Sequence, residues 1–303
     1  MKPIATNISE PSAKIDLVLG SVQFGMAYGI TEKAKPSVKE VEKIVSTFMS
    51  KGGHVIDTAV AYGDSHIVLG KLPKKPAFMT KIPSLNALTI ERIDLKNIAE
   101  TALVQLKVDQ LECISFHEIK DVLGPNGQDN VNQMINLRKM GICRKIGLSL
   151  YSPDQLEATI KKFPGIFDIV QAPLSLLDQR FLDTATQVVL LEKMEFHARS
   201  IFLQGLLLLA PDTVPNSVKR IKPFLKKVQE LCNEHSIEPI KLVFLFLKEA
   251  LANGKAVVGV HSSKQLKQVY LALEWAHENS IDIDFNSLRC DDLDLIDPRR
   301  WKT

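Results

Sequence analysis

The sequence predicts an α/β fold, a (β/α)8 TIM barrel. Three observations carry that prediction. Short apolar runs alternate with longer amphipathic ones along the chain. The short runs are apolar almost throughout instead of alternating in polarity, which suits parallel strands covered on both faces. Eight such strand–helix pairs in about 280 residues match the size of a closed barrel.

In chain order the strands are expected at residues 15–19, 54–58, 77–81, 111–116, 145–148, 169–172, 196–201 and 256–260. The helices are expected at 37–51, 89–106, 131–140, 153–162, 184–191, 217–235, 239–252 and 264–279. Ser37 with Glu40 three residues on reads as a capping box, and Gly52–Gly53 closes that helix. Gly141 and Gly254 close two others. The competing arrangement is a doubly wound open sheet. Its dinucleotide-binding version requires a G-x-G-x-x-G turn after the first strand, and none is there. No composition break divides the chain, so residues 1–303 are expected to form one barrel domain, with 1–14 a flexible N-terminus.

Composition narrows the function. Of 303 residues, 45% are hydrophobic and 24% charged, which excludes extensive disorder and provides a core needing no staples. A net charge of +3 is too small to argue for nucleic acid or an anionic membrane. Cys113, Cys143, Cys232 and Cys290 form no C-x-x-C pair, so no metal is expected, and a reducing cytoplasm is the expected setting. Residues 1–13 lack a signal-peptide core. The apolar run 201–210 is too short to span a bilayer.

In a (β/α)8 barrel the chemistry sits at the C-terminal strand ends. Reading those ends yields Asp57, with Tyr62 in the loop after it, then Lys81, His117, Ser149, Gln171, and Arg199 with Ser200. Each residue alone has a bland reading: a turn cap, a packed ring, a loop lysine, a structural histidine. Together, Asp57, Tyr62, Lys81 and His117 describe a proton-transfer site. A tyrosine is a poor acid near neutral pH unless a cation stabilises its anion. A lysine supplies the cation, a carboxylate holds the lysine, and a neutral imidazole orients a carbonyl oxygen. The electrons would come as hydride from a reduced nicotinamide.

These segments also resemble the aldo-keto reductases over nearly the whole chain. VIDTAVAYGDSHIVLG (55–70) is similar to the family's strand-two signature, MTKI (79–82) to the strand with its lysine, and LECISFHE (111–118) to the strand ending in its histidine. KIGLSLYSPDQL (145–156), DIVQAPLSLLDQR (168–180), HARSIFLQGLLL (197–208) and VVGVHSSKQLKQV (257–269) follow in the family's order. The resemblance implies Tyr62 as general acid, tuned by Lys81 and Asp57, with His117 orienting a small-molecule carbonyl substrate. It implies an extended cofactor, NADP, at the barrel mouth. Ser21 would bind the cofactor, and Ser149 and Gln171 would lie at the nicotinamide carboxamide, with Arg199 where many members place an aromatic. Ser200, Phe202 and Gln204 would follow the pyrophosphate. Gly259, His261, Ser262 and Gln265 would surround the adenosine 2′-phosphate, helped by Lys264 and Lys267 unless those are only a solvated helix face.

Three positions depart from the family pattern: Leu150 replaces an asparagine, and Gln268 and Val269 replace two adenine contacts. PLSLLDQRFL (173–182) and FHARSIFLQGLLLL (196–209) resemble a bacterial subgroup that accompanies polysaccharide or nucleotide-sugar genes, which suggests a sugar-derived substrate. Arg180 either binds an anionic substrate group or pairs with Asp178 or Asp183. Trp301 is either a lid residue or a packing anchor. The alternatives to a carbonyl reductase are a non-catalytic NADPH-binding redox sensor and a lyase or isomerase barrel.

Overall fold

A computed structural model describes residues 14–30, 34–85, 94–182, 193–251 and 254–301. Among them, eight parallel strands close into a barrel in sequential order, β1 pairing with both β2 and β8. The strands are β1 Asp16–Gly20, β2 Val55–Asp57, β3 Ala77–Ile82, β4 Leu111–Phe116, β5 Cys143–Ser149, β6 Ile169–Pro173, β7 Glu195–Arg199 and β8 Lys255–Gly259. The open-sheet alternative is thereby excluded.

The apolar strands divide their side chains between two cores. Val18, Val55, Met79, Cys113 and Ile169 fill the barrel interior. The larger cluster seals the barrel against its helices, where Ile44, Phe48, Phe116, Phe196 and Phe244 are fully buried. This two-sided burial explains why the strands read as continuous apolar runs.

Most boundaries shift by one to three residues from the expected ones. The expected strand 196–201 ends at Arg199, because Ser200 takes a left-handed backbone angle (φ 59°) that stops an extended chain. β5 begins earlier than expected, at Cys143, which pairs with Leu111 of β4; Cys143 is thus a strand residue, not a turn residue. The expected helix 217–235 divides into a 3₁₀ segment, Asn216–Ile221, and the helix Lys222–Glu234, whose first turn accommodates Pro223. The helix after β4 starts earlier than expected, at Gly127. Expected helix 184–191 lies outside the described residues, as do 89–93 of helix 89–106. Ser37 caps its helix by accepting from the Glu40 backbone N–H. No helix among the described residues is long and apolar enough to cross a membrane.

Candidate active site

The register of β1 to β4 sets the core of the site. Asp57 ends β2 beside Met79, and Lys81 lies two residues further along β3, beside Ser115. Both side chains therefore point into the mouth of the barrel, where they are 3% and 2% exposed. Lys81 Nζ donates to both Asp57 carboxylate oxygens at 2.6 Å, and to the Thr58 carbonyl at 3.3 Å. Gln171 donates to the same carboxylate from across the barrel at 2.9 Å. A buried ion pair of this kind stands only when its remaining hydrogen-bonding capacity is satisfied, and Gln171 and Thr58 supply that.

Tyr62 is carried over this pair by a tight loop after β2. Its N–H donates to the Ala59 carbonyl, and the Val60 N–H donates to the Lys81 carbonyl. The loop is held against the short helix Val22–Gly25, where a Cβ on Gly25 would fall 1.7 Å from the Tyr62 carbonyl. Gly25 is thus required for the close approach that places Tyr62. Lys81 Nζ lies 5.2 Å from the Tyr62 ring centroid. His117, the first residue after β4, meets the Tyr62 ring edge-on, with centroids 6.0 Å apart.

Electrostatics sort these groups by protonation. Burial works to strip Lys81 of its proton, but the Asp57 carboxylate and Tyr62 together outweigh it, and the ammonium is held above its ordinary range. Burial pushes the Tyr62 hydroxyl up; the Lys81 charge opposes this, Asp57 reinforces it, and Arg199 opposes it again. Burial and then the Lys81 cation drive His117 down to about 4. At neutral pH the site therefore holds a protonated tyrosine, a charged lysine and a neutral imidazole.

These residues open into a cavity of about 690 Å³, within the range of small-molecule and cofactor sites. It runs from His117 to Gln268 and Val269 on the helix after β8. Ser21, Ser149, Gln171, Arg199, Ser200, Phe202, Gln204, Gly259, His261 and Gln265 all line it. Ser262 does not: its hydroxyl caps the helix Ser263–Glu278 by accepting from the Gln265 N–H. Lys264 and Lys267 are exposed on that helix, outside the lining. Gln265 carries a second local role, accepting from the His261 N–H at 2.7 Å.

Two features of the cavity wall suit an extended polar ligand. The loop after β7 holds Ser200, Leu203 and Gln204 at positive φ (59°, 45° and 54°), a conformation that costs on the order of 1–3 kcal/mol per residue and collects at binding sites. Gln23, just past β1, is buried with its Oε1 unpartnered. Its amide occupies the space a Cβ on Gly259 would need, at 2.4–2.5 Å. Any larger residue at 259 would have to displace that amide, so the glycine of β8 leaves it room at the cavity wall.

Four polar lining residues escaped the sequence reading: Gln23, Tyr28, Tyr151 and Arg299. Gln23 and Tyr151 sit a few residues past β1 and β5, and a wider reading of strand ends would have found them. Tyr28, whose hydroxyl receives a 3.4 Å hydrogen bond from Gln204, belongs to the long loop after β1. Arg299 comes from the C-terminal segment and carries no signal in local sequence. Trp301, in contrast, packs against the core and donates from Nε1 to the Leu295 carbonyl, the anchoring role. Arg180 is paired with buried Asp178 through Nε and Nη2 at 2.8 and 2.7 Å.

Comparisons with known proteins bear on the family and the fold. The sequence pattern of the Aldo/keto reductase family matches residues 16–281. D-arabinose 1-dehydrogenase of Saccharomyces cerevisiae is 22% identical over 274 residues, which is 83% of this chain and 80% of that protein. Among solved structures, an aldo-keto reductase from Bacillus halodurans in its holo form superposes with a TM-score of 0.70 at 16% identity, over 94% of this chain and 95% of that one. A glycerol dehydrogenase from Gluconobacter oxydans superposes with a TM-score of 0.63 at 17% identity, over 91% and 96%.

Proposed function

The chain belongs to the aldo-keto reductase family, and from that premise we propose that it is an NADP-dependent reductase of a small aldehyde or ketone, with Tyr62 as the general acid. The observation that carries this reading is the buried Lys81–Asp57 pair set beneath Tyr62 and His117 at the mouth of a ligand-sized cavity. A structural ion pair has no need of a half-buried tyrosine and a neutral histidine opening onto the same space.

When bound, the nicotinamide supplies hydride to the carbonyl carbon. Tyr62 holds the proton that the carbonyl oxygen takes up as it gains negative charge. Lys81 stays protonated through the cycle because Asp57 holds it, so its charge stabilises the tyrosinate left behind. His117 is neutral, so it can donate a hydrogen bond to the carbonyl oxygen without adding a second cation beside Lys81.

The cofactor fits the residues present. The unpartnered Gln23 Oε1 offers an acceptor, Ser149 and Gln171 face the mouth, and the strained loop 200–204 would line the pyrophosphate. Lys264 and Lys267 lie outside the lining, and we assign them the 2′-phosphate from the exposed side. A sugar-derived substrate draws support from the likeness to the yeast arabinose dehydrogenase. Four free, buried cysteines accord with a reducing, cytoplasmic setting.

The test is a titration of the purified protein with NADPH and NADH by fluorescence quenching, with reduction of a panel of aldehydes and sugar ketones followed alongside. The expected result is tighter NADPH binding, weakened about two- to fivefold by Lys264→Ala, and NADPH-dependent reduction abolished by Tyr62→Phe. Cofactor binding with no carbonyl reduced would select the non-catalytic redox sensor instead. Binding of neither cofactor would overturn both readings.

A further inference from the structure

Resting on the reductase reading, we propose that Arg299 is a specificity-determining residue that selects carbonyl substrates bearing an anionic group, a carboxylate or phosphate, with Tyr151 as the platform that holds it in place.

Tyr151 lies two residues past the end of β5 and is clamped from both faces. The Arg199 guanidinium sits 4.0 Å from its ring centroid, and the Arg299 guanidinium 3.2 Å. The platform itself is fixed. The Tyr151 carbonyl accepts from Arg180 Nη1 at 3.0 Å, and its N–H donates to Gln155 Oε1 at 2.9 Å. Arg180 is in turn locked on Asp178, which is 1% exposed. The paired Arg180 is thus a positioning residue, one step removed from the cavity.

Arg299 is pre-set in the same way. Its Nε and Nη2 grip buried Asp297 from one side, and its plane lies on the Tyr151 ring. Among the described residues, its Nη1 has no partner. A guanidinium offers five donors in a rigid fork suited to carboxylate or phosphate, and one already stacked and anchored loses little further freedom on binding. Anchoring of the C-terminal segment does not depend on this head group. Trp301 packs against the core and donates to Leu295, and Arg300 pairs with Asp294.

Charge balance points the same way. The charged side chains lining the cavity are Asp57, Lys81, Arg199 and Arg299. Asp57 is consumed by Lys81. Asp297 and Glu118 offset Arg299 from outside the lining. Arg199 donates to the Leu150 carbonyl at 3.0 Å and has no carboxylate partner among the described residues. The mouth therefore carries an excess positive charge, and Arg199 is near enough to pull down the pKa of both Tyr62 and His117. Arg299 lies across a single ring from Arg199. A small substrate with its carbonyl at Tyr62 would direct an anionic tail toward that edge.

The test compares matched substrates with saturating NADPH: 4-carboxybenzaldehyde against 4-methylbenzaldehyde, and glyceraldehyde 3-phosphate against glyceraldehyde. The kcat/KM ratio should favour the anionic member by about tenfold or more in at least one pair, chiefly through KM. Which pair shows it identifies the anion. Arg299 is half exposed, so the ratio should shrink as salt is raised. Arg299→Met should bring the ratio close to one, and Arg299→Lys should retain part of it. A wild-type ratio near one in both pairs, or an unchanged ratio in Arg299→Met, overturns the proposal.

Calorimetric binding of benzoate against benzamide, neither of them reducible, separates this proposal from the reductase reading. Benzoate binding lost in Arg299→Met, with no carbonyl reduced, keeps the anion site and removes the reductase. Reduction of both members of each pair at equal efficiency, with no benzoate binding, does the reverse.

Discussion

The barrel has a charged cluster at each end, built from similar parts and used differently. At the N-terminal end, Glu195 of β7 is paired with Lys145 at 2.5 Å and Lys255 at 2.6 Å, and accepts from His197 at 3.3 Å, while Glu112 takes the other side of Lys145. Its hydrogen bond from His197 is the main reason its carboxyl lies far below the usual range. At the C-terminal end, Asp57 is paired with Lys81 just as tightly, but the groups around the pair are not consumed by one another. Tyr62 and His117 meet only edge to edge, and Arg199 has no carboxylate partner among the described residues. The first cluster spends its charges on itself and closes the bottom of the barrel. The second leaves a proton, an imidazole and a cation facing a cavity. Charge density is thus a poor marker of the site, and so is an unpartnered atom by itself, since the buried Nδ1 of His197 in the first cluster also lacks a partner; what sets the second cluster apart is that its groups face a cavity.

Substitutions at the two ends should separate sharply. Tyr62→Phe should lower kcat by about 10²–10⁴-fold while leaving the thermal midpoint near that of the wild type. A loss of under tenfold would mean that Tyr62 is not the proton donor and that the contrast between the ends is misdrawn. Lys81→Met should remove activity and also cost about 3–5 kcal/mol of stability in urea unfolding, because Asp57 is left buried without its cation.

Acid titration should sharpen the comparison. His117 has its folded pKa lowered to about 4, below its ordinary value near 6.5, so the unfolded chain binds more protons between those pH values. Stability should therefore be lost as the pH falls from about 6.5 to 4, by up to roughly 3 kcal/mol from this residue. His66, His197 and His277 shift in the same direction, each by burial first. His117→Gln should accordingly flatten the curve in that window without abolishing the slope. Glu195→Gln should act lower, removing a dependence that sets in as the pH falls below about 5, where the wild-type carboxylate begins to be protonated in the unfolded chain but not in the folded one. It should cost about 1 kcal/mol at neutral pH, since the cluster is partly exposed, and leave kcat within about twofold. A large loss of activity in Glu195→Gln would show that the two ends are coupled through the barrel.

Much of this was legible in the chain itself. Asp57, Lys81 and His117 fall at or next to the ends of apolar runs, and a parallel barrel collects strand ends at one mouth, so their convergence follows from pattern and fold together. The lining residues along β5 to β8 follow by the same rule. Ser262 could not be assigned from the sequence because cap chemistry and ligand chemistry draw on the same side chain, and the helix geometry shows that it serves as a cap.

Local sequence determined where the strands and helices lie, because apolar periodicity and caps act over a few residues. The tertiary structure alone decided which charges were already spent. Gln171 reaches Asp57 across 114 positions of chain, Arg180 grips Asp178 instead of a ligand, and Arg299 arrives from the C-terminal segment to stack on Tyr151. Such partnerships depend on the closure of the barrel, which brings together residues that no local spacing relates.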